Sequence, residues 1–485
     1  MKCSGRWDLW GLTLAPQEDQ GIIMAQTIAA ANASLDQLKI YTNQVSDIFS
    51  KYRETQAIFQ INGTSGANNA PSLNNSIGGM VLLPWDKRKK TTNQLQPILQ
   101  KQMNTISGAK IALFQPPSLP GGGSGLPIQF VIQTTDPYIN LNEVTAKIIQ
   151  QAQETGDFLF IDSDLKYDKE QAQLIFNRDK IAQFGLTMEQ VGNSVSNFLS
   201  ENYVNYFDFM GRSYQVISQV NRLSRLSEKQ IGNYYMNTAS GVPVSLATVT
   251  TLKNAVVPEF INHFQQLNSA TISAVAVPYV SLGNALSKLK QIADQILPQG
   301  YTIDYGSQSR QFIQESSALV VTFFLAMVII YLALSALFNS FRDPLIILIS
   351  VPLSICGAMI FVSLGIGGAT LNIYTEVGLV TLIGLISKHG ILIVEFANDE
   401  QKAGKSKRDA IISAAFIRFR PILMTTAAMV LGVVPLILAT GASAVSRFDI
   451  GLIIATGISI GTLFTLFVVP CMYLLIAENL QKDGT

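Results

Sequence analysis

Cysteine, charge and nucleotide-binding motifs are all scarce in this sequence of 485 residues. It has three cysteines, without the spacing of a disulfide framework or a metal site. The formal net charge is +1, which argues against an electrostatic surface for nucleic acid. Residues Gly404-Lys-Ser406 match the end of a phosphate-binding loop, but Asp399 stands where that motif needs its first glycine. The sequence therefore indicates neither a nucleic-acid-binding protein nor a nucleotide-driven motor.

Long apolar runs dominate the chain from Ala318 onward, whereas most of the charge lies before residue 310. Five runs approach the ~20 residues that are needed to cross ~30 Å of hydrocarbon. We predict transmembrane spans at Ser317–Phe338, Pro344–Leu364, Glu376–Ala397, Pro421–Ala439 and Ile450–Ile476. No aspartate lies within these limits.

Lys388 lies near the centre of the third predicted span. An ammonium at the middle of a bilayer costs at least ~2.5 kcal/mol even on the mildest insertion scale. The residue is ~18 Å into the helix, which is a long way for its side chain to reach the interface. An interfacial lysine is the alternative, but the position favours a charge that meets an acidic partner or lines an ion path.

Four further residues accompany Lys388 in the third and fourth spans or just before the fourth. Glu395 is seven residues later and so on roughly the same helical face; it is either part of the path or an interface carboxylate. Arg418, three residues before the fourth span, and Thr425 within it are also seven apart and so share a helical face. His389 points about 100° away from Lys388 and is either a titrating group or a packing residue. Two cations without a carboxylate leave the charge uncompensated, so we expect the acidic partner to come from elsewhere.

The loops predict how the spans are oriented. The short loop between the third and fourth spans is rich in lysine and arginine, which places it in the cytoplasm and the N-terminal 310 residues outside. The apolar stretch at the start of the sequence is too short and too interrupted to be the core of a signal peptide or a transmembrane span. We therefore expect the sequence to be a fragment of a longer transporter or one half of a split one.

The outer region shows repeated α/β patterns, which predict an α+β fold with helices on one face of antiparallel strands. The first set is predicted as strands at Gly21–Ala29, Ile58–Asn62, Gly79–Leu83 and Lys110–Gln115, with helices at Leu35–Tyr52 and Thr92–Ile106. A glycine-rich break at Pro120–Gly125 precedes a second set at Pro127–Gln133, Leu141–Thr155, Ala270–Val277, Leu282–Ile296 and Thr302–Gly306. An inserted subdomain near Asp168–Pro258 has β-rich stretches at Arg212–Val220 and Val242–Val249.

Three motifs resemble one family. Gly384-Leu-Ile-Ser-Lys388-His-Gly-Ile-Leu-Ile-Val-Glu395-Phe-Ala and Arg418-Phe-Arg-Pro-Ile-Leu-Met-Thr425 resemble the tenth and eleventh spans of resistance-nodulation-division (RND) multidrug efflux pumps. The most similar branch is the hydrophobe/amphiphile (acriflavine-resistance-type) exporters of Gram-negative bacteria. Leu14-Ala-Pro-Gln-Glu-Asp-Gln-Gly21 resembles the sequence after their seventh span. The resemblance extends to about Ile476 and implies the C-terminal half of such a pump.

The resemblance also implies a domain organisation. It predicts an irregular stub (1–15), a first porter subdomain (16–121), a second porter subdomain (122–170 and 261–310), an inserted funnel or docking subdomain (171–260), five transmembrane helices (311–477) and a cytoplasmic tail (478–485).

In that family, proton import drives export through a relay of two aspartates, a lysine, an arginine and a threonine. The last three match Lys388, Arg418 and Thr425, and the aspartates would lie in the N-terminal half. Phe59 matches a phenylalanine of the drug pocket, although it is equally a candidate core residue of a strand. Met80 stands where a relative has another phenylalanine. The loop Asn62–Ala67 lacks the phenylalanines of some members, so the substrate range does not carry over.

The implied partners are the N-terminal half, two further copies in a homotrimer, a periplasmic adaptor and an outer-membrane channel. The implied setting is the lipid bilayer of a bacterial inner membrane, with small amphiphilic substrates, a large periplasmic region and no cofactor or metal. Two alternatives are a truncated remnant that does not transport and an RND relative that exports metal ions or lipids.

Overall fold

A computed structural model describes residues 15–64, 71–119, 125–199, 203–238, 240–277 and 280–479, without the side chains of residues 71 and 316–320. Nearly all of the predicted stub and glycine-rich break, part of the loop after Thr64 and the end of the tail lie outside these residues. The chain forms two compact units, one of which is Lys166–Phe260 and the other the remainder of the chain.

The first sheet has four antiparallel strands in the order β2-β3-β1-β4. Its elements along the chain are β1 (Ile22–Ala29), α1 (Leu35–Ser50), β2 (Thr55–Thr64), β3 (Pro71–Leu82), α2 (Thr92–Met103) and β4 (Ala109–Phe114). Buried and half-buried residues alternate along β1, so that one face of the sheet forms the core, where Ile23 packs with Phe49 of α1 and Leu99 of α2. This connectivity is the split βαβ motif.

The β2–β3 hairpin is longer than the sequence predicts because polar residues continue both strands. Asn74, Asn75 and Ser76 of β3 are buried. Because these residues are polar, hydrophobic alternation does not reveal the strand there. The Ser72 hydroxyl bonds to the side chains of Asn74 at 2.6 Å and Asn75 at 2.8 Å, which offsets part of the cost of burial.

The second sheet starts with β5 (Ile128–Thr134), α3 (Tyr138–Glu154) and β6 (Phe158–Ser163). The chain then leaves this unit after Leu165 and returns at Ile261.

The unit between these points has its own small core, which includes Ile181, Val191, Met236 and Leu246. Its elements are β7 (Tyr167–Phe176), α4 (Arg178–Gln183), α5 (Met188–Leu199), β8 (Tyr203–Phe209), β9 (Arg212–Ile217), β10 (Tyr235–Asn237), β11 (Pro243–Ser245), α6 (Leu246–Val249) and β12 (Thr250–Pro258). The pairs are β7–β12, β8–β9 and β10–β11. The prediction of β structure throughout Val242–Val249 is wrong, because its second half forms the helical turn α6.

On its return the chain adds β13 (Asn262–Phe264), β14 (Leu267–Ala276), α7 (Leu282–Ile296) and β15 (Thr302–Tyr305). Strand β14 pairs with β13, β6 and β5, and β5 also pairs with β15. The order β6-β14-β5-β15 repeats that of the first sheet, as the repeated sequence patterns suggest.

Long apolar helices follow: α8 (Ser307–Phe338), α9 (Arg342–Leu348), α10 (Ser350–Ser363), α11 (Ile373–Lys402), α12 (Lys407–Ile437) and α13 (Ala444–Ile476). Within the described residues five segments are long and apolar enough to cross a membrane, with α9 and α10 forming one of them. They correspond to the five predicted spans.

The helical segments extend beyond the predicted limits of the spans, and the added residues include aspartates. Asp343 and Asp449 are buried near the ends of α9 and α13. Apolar composition marks only the middle of each helix, whereas the backbone hydrogen bonding continues through polar residues.

Helix α13 packs closely against its neighbours at glycines. A Cβ atom at Gly461 would lie 2.5 Å from Ile386 Cδ1 of α11, and one at Gly357 of α10 would lie 2.5 Å from Ile460 Cγ2. Small residues allow this approach, which is the usual basis of helix packing in membranes.

Candidate proton-relay site

Helix α11 presents an exposed stripe that carries two charged side chains in its middle. The side chain of Asn372 caps the helix by accepting from the amides of Tyr374 and Thr375. The stripe repeats every three, four or seven residues and consists of Val377, Thr381, Gly384, Lys388, Glu395 and Asp399. Lys388 and Glu395 therefore share one face, as their spacing predicts.

Lys388 makes no hydrogen bond or ion pair with any residue that the structure describes. Its side chain is exposed on a face of α11 that no other described part of the chain covers. The ammonium is thus available to a group outside the described part of the chain. No acidic side chain described here pairs with it.

Arg418 is held against α11 through an aromatic ring. Its guanidinium carbon lies 4.8 Å from the centre of the Phe396 ring, within range of a cation–π interaction. The Arg418 Nε is buried and has no hydrogen-bond partner among the described residues. The structure therefore places this cation beside α11, and no acidic side chain among the described residues forms an ion pair with it.

Thr425 joins a small polar cluster, the His389 cluster, which consists of His389, Thr425, Thr426 and Thr462. The Thr425 hydroxyl lies 3.5 Å from His389 Nε2, and the Thr462 hydroxyl lies 3.4 Å from His389 Nδ1. The hydroxyls of Thr426 and Thr462 are 3.1 Å apart. A neutral imidazole can donate to one hydroxyl and accept from the other, so His389 links α11, α12 and α13.

His389 is fully buried, whereas its neighbour Lys388 is exposed. The sequence leaves the role of His389 open and misses Thr462. Helical periodicity does indicate that His389 is buried. Leu382, Ile386 and Ile393 are apolar and share its face of α11, which is the face toward the core. The contact with Thr462 depends on three-helix packing, which periodicity does not give.

The two candidate substrate residues, Phe59 and Met80, lie on opposite faces of the first sheet. Met80 is 0% exposed and packs in the core beneath α1 and α2. Phe59 pairs with Gly79 and is half-buried on the other face. A Cβ atom at Gly79 would lie 3.1 Å from the Phe59 ring, so the ring covers that glycine. The structure does not bring Phe59 and Met80 together.

A bundle of membrane-spanning helices with a lysine in mid-span, joined to two α/β sheets, is the architecture of a membrane transporter. The chain belongs to the AcrB/AcrD/AcrF family, whose model matches residues 9–477. The predicted resemblance to RND efflux transporters is thereby confirmed.

Characterised and uncharacterised relatives align along nearly the whole chain. An uncharacterized transporter of Haemophilus influenzae is 41% identical over 471 residues, which is 96% of this chain and 45% of the relative. The toluene efflux pump membrane transporter TtgB of Pseudomonas putida is 28% identical over 97% of this chain and 45% of its own length. The multidrug/solvent efflux pump membrane transporter MepB of Pseudomonas putida gives the same values. The chain thus spans about half the length of these relatives.

Proposed function

We propose that this chain provides the C-terminal half of an RND transporter that exports drugs or other amphiphilic compounds by proton antiport. The observation that carries the proposal is the position of Lys388, which is exposed in the middle of α11 and pairs with none of the residues that the structure describes. A charge at this depth requires compensation, and an acidic residue from the other half would supply it. Arg418 and Thr425 complete the proposed relay on the adjacent helix.

Protonation of a carboxylate beside Lys388 would change the electrostatic attraction between the α11 stripe and the other half. While a partner carboxylate is ionised, it attracts the ammonium; once that carboxylate is protonated, the attraction is lost. The two states therefore favour different packing of the two halves. The His389 cluster links α11 to α12 and α13, so a shift of α11 would be shared with both helices.

The proposed substrate class is supported by relatives whose names refer to toluene, solvents and multiple drugs. We assign contact with such a molecule to Phe59, and the assignment is supported by the position of its ring on the sheet face away from α1 and α2. Met80 would act indirectly by supporting the sheet from the core. We further propose a homotrimer in the bacterial inner membrane, with the α/β regions as periplasmic porter and docking subdomains that meet an adaptor and an outer-membrane channel.

Co-expression tests the proposal. The chain is produced in a pump-deficient Gram-negative strain, alone and together with a complementary N-terminal half, and resistance to dyes and detergents is measured at matched membrane abundance. We expect resistance only on co-expression. Resistance from the chain alone would contradict the requirement for the other half, and no resistance with any partner would favour a non-transporting remnant.

A further inference from the structure

The carboxylate of Glu18 binds the first turn of α13. Its Oε1 accepts hydrogen bonds from the Ser446 amide at 2.7 Å and from the Ser446 hydroxyl at 2.6 Å. Its Oε2 lies 3.4 Å from the Val445 amide nitrogen. Glu18 and Ser446 are both buried, although 428 positions separate them in the sequence. A carboxylate suits this place because the first amides of a helix lack intrahelical partners and carry positive partial charge.

The segment that carries Glu18 is also bound to the first sheet. The Asp19 carboxylate accepts from the Arg88 guanidinium at 2.6 Å and from the Thr92 amide, at the start of α2, at 3.3 Å. The Trp85 indole donates to the Asp19 carbonyl oxygen at 2.9 Å. A displacement of Glu18 is therefore shared with α2 and the turn before it.

Helix α13 is joined to α11 by polar contacts at three depths of the bundle. They link Asn372 to Asp449 at 2.6 Å, His389 to Thr462 at 3.4 Å and Asn398 to Tyr473 at 2.6 Å. Contacts at both ends and in the middle oppose sliding of one helix along the other, because sliding would break each contact and leave a buried polar group unpaired. The two helices are thus expected to move together, and α11 carries Lys388.

We infer that Glu18 is a positioning residue that transmits movement of the α11–α13 pair to the first sheet. This inference rests on the proposed function, in which protonation of a carboxylate beside Lys388 displaces α11. The contacts form one continuous route from α11 through α13 and Glu18 to Asp19 and α2. A carboxylate that merely capped α13 would stabilise the helix without affecting the sheet.

Transport by the co-expressed halves gives the first test. Glu18→Gln keeps the size of the side chain but turns an amide NH₂ toward donors, so it breaks part of the link. We expect efflux to fall about tenfold at unchanged membrane abundance, within the usual range for coupling between two sites. Gln17→Ala is the matched control, because the neighbouring Gln17 is exposed, and it should keep the wild-type rate. Wild-type efflux from Glu18→Gln would overturn the inference.

Amide hydrogen exchange on the full chain in nanodiscs gives a second test that does not need transport. Asn372→Ala weakens the α11–α13 contact, and we expect faster exchange at the Thr92 amide, at the start of α2. In the Glu18→Gln background the same change should leave Thr92 unaffected. An equal response of Thr92 in both backgrounds overturns the inference.

The two tests separate the inference from the function on which it rests. If exchange shows the link but wild-type halves do not export, the proposed function fails while the link stands. If Glu18→Gln does not insert, Ser446→Ala replaces it, because that variant loses the 2.6 Å hydroxyl contact and keeps the carboxylate. An unchanged Thr92 response in Ser446→Ala, together with wild-type efflux, then overturns the inference.

Discussion

Truncation of Met80 should unfold the first sheet more readily than truncation of Phe59, because the two side chains lie in different environments. Met80 is 0% exposed in the core between the sheet and its helices. Replacement of a buried methionine by alanine costs about 2–5 kcal/mol, which includes the cavity that it leaves. Phe59 is half-buried, so Phe59→Ala should cost roughly half of the ~3–5 kcal/mol of a fully buried phenylalanine. Met80→Leu conserves volume and should cost less than ~1.5 kcal/mol.

The assay combines stability with substrate range. Thermal unfolding of the detergent-solubilised chain, followed at Trp85 after replacement of Trp7 and Trp10, gives the stability order. Efflux of several dyes by the co-expressed halves gives the relative rate for each substrate. We expect Met80→Leu to leave the ranking of substrates unchanged and Phe59→Ala to alter it. A Met80→Ala variant with wild-type stability and an altered ranking would refute the assignment of Met80 to the core.

Two further predictions concern topology and pH. With an impermeant thiol reagent in a cysteine-free background, intact cells should show labelling of Ser443→Cys and none of Ser406→Cys; the reverse pattern contradicts the orientation. Burial raises the pKa of Asp164 above 3.8, although its carboxylate accepts from the amides of Thr271 at 2.7 Å and Asn262 at 2.8 Å. Its stabilising contribution is therefore complete below pH 3.8 and is lost as the pH rises through the raised pKa. The unfolding temperature of wild type relative to Asp164→Asn should fall as the pH is raised from 3.8; a constant difference would show that Asp164 does not titrate differently on folding.

Amphipathic and apolar periodicity accounts for what the sequence predicted well. Helix α7 has the predicted limits, Leu282–Ile296, because its apolar positions recur at helical spacing and Ser281 caps its start. The five spans were recognisable because their apolar runs match the thickness of a bilayer. In both cases the signal is contained in neighbouring residues.

Contacts between distant residues account for what the sequence did not predict. Asp449 is accommodated in the mostly apolar helix α13 because the side chain of Asn372, 77 positions earlier, donates a hydrogen bond to its carboxylate at 2.6 Å. The bond from Ser446 to Glu18 spans 428 positions and has no local pattern. His389 gains its threonine neighbours only when three helices pack. Such pairs are determined by tertiary packing, which a single sequence does not reveal.

We propose that Lys388 takes part in proton-coupled export. The most direct measurement is proton flux and substrate efflux, recorded together in proteoliposomes that contain the co-expressed halves. Lys388→Ala should abolish both while insertion and trimer assembly persist, and Arg418→Ala should do the same. Thr425→Ala should be milder, because only a hydroxyl is lost.

Lys402→Ala is the matched control, since it removes a lysine from the last turn of the same helix. Lys402 is exposed and pairs with Asp399 at 3.7 Å, an interaction that contributes little at a surface. We expect wild-type proton flux and substrate efflux from Lys402→Ala and neither from Lys388→Ala. Coupled export at near the wild-type rate by Lys388→Ala would contradict the proposal.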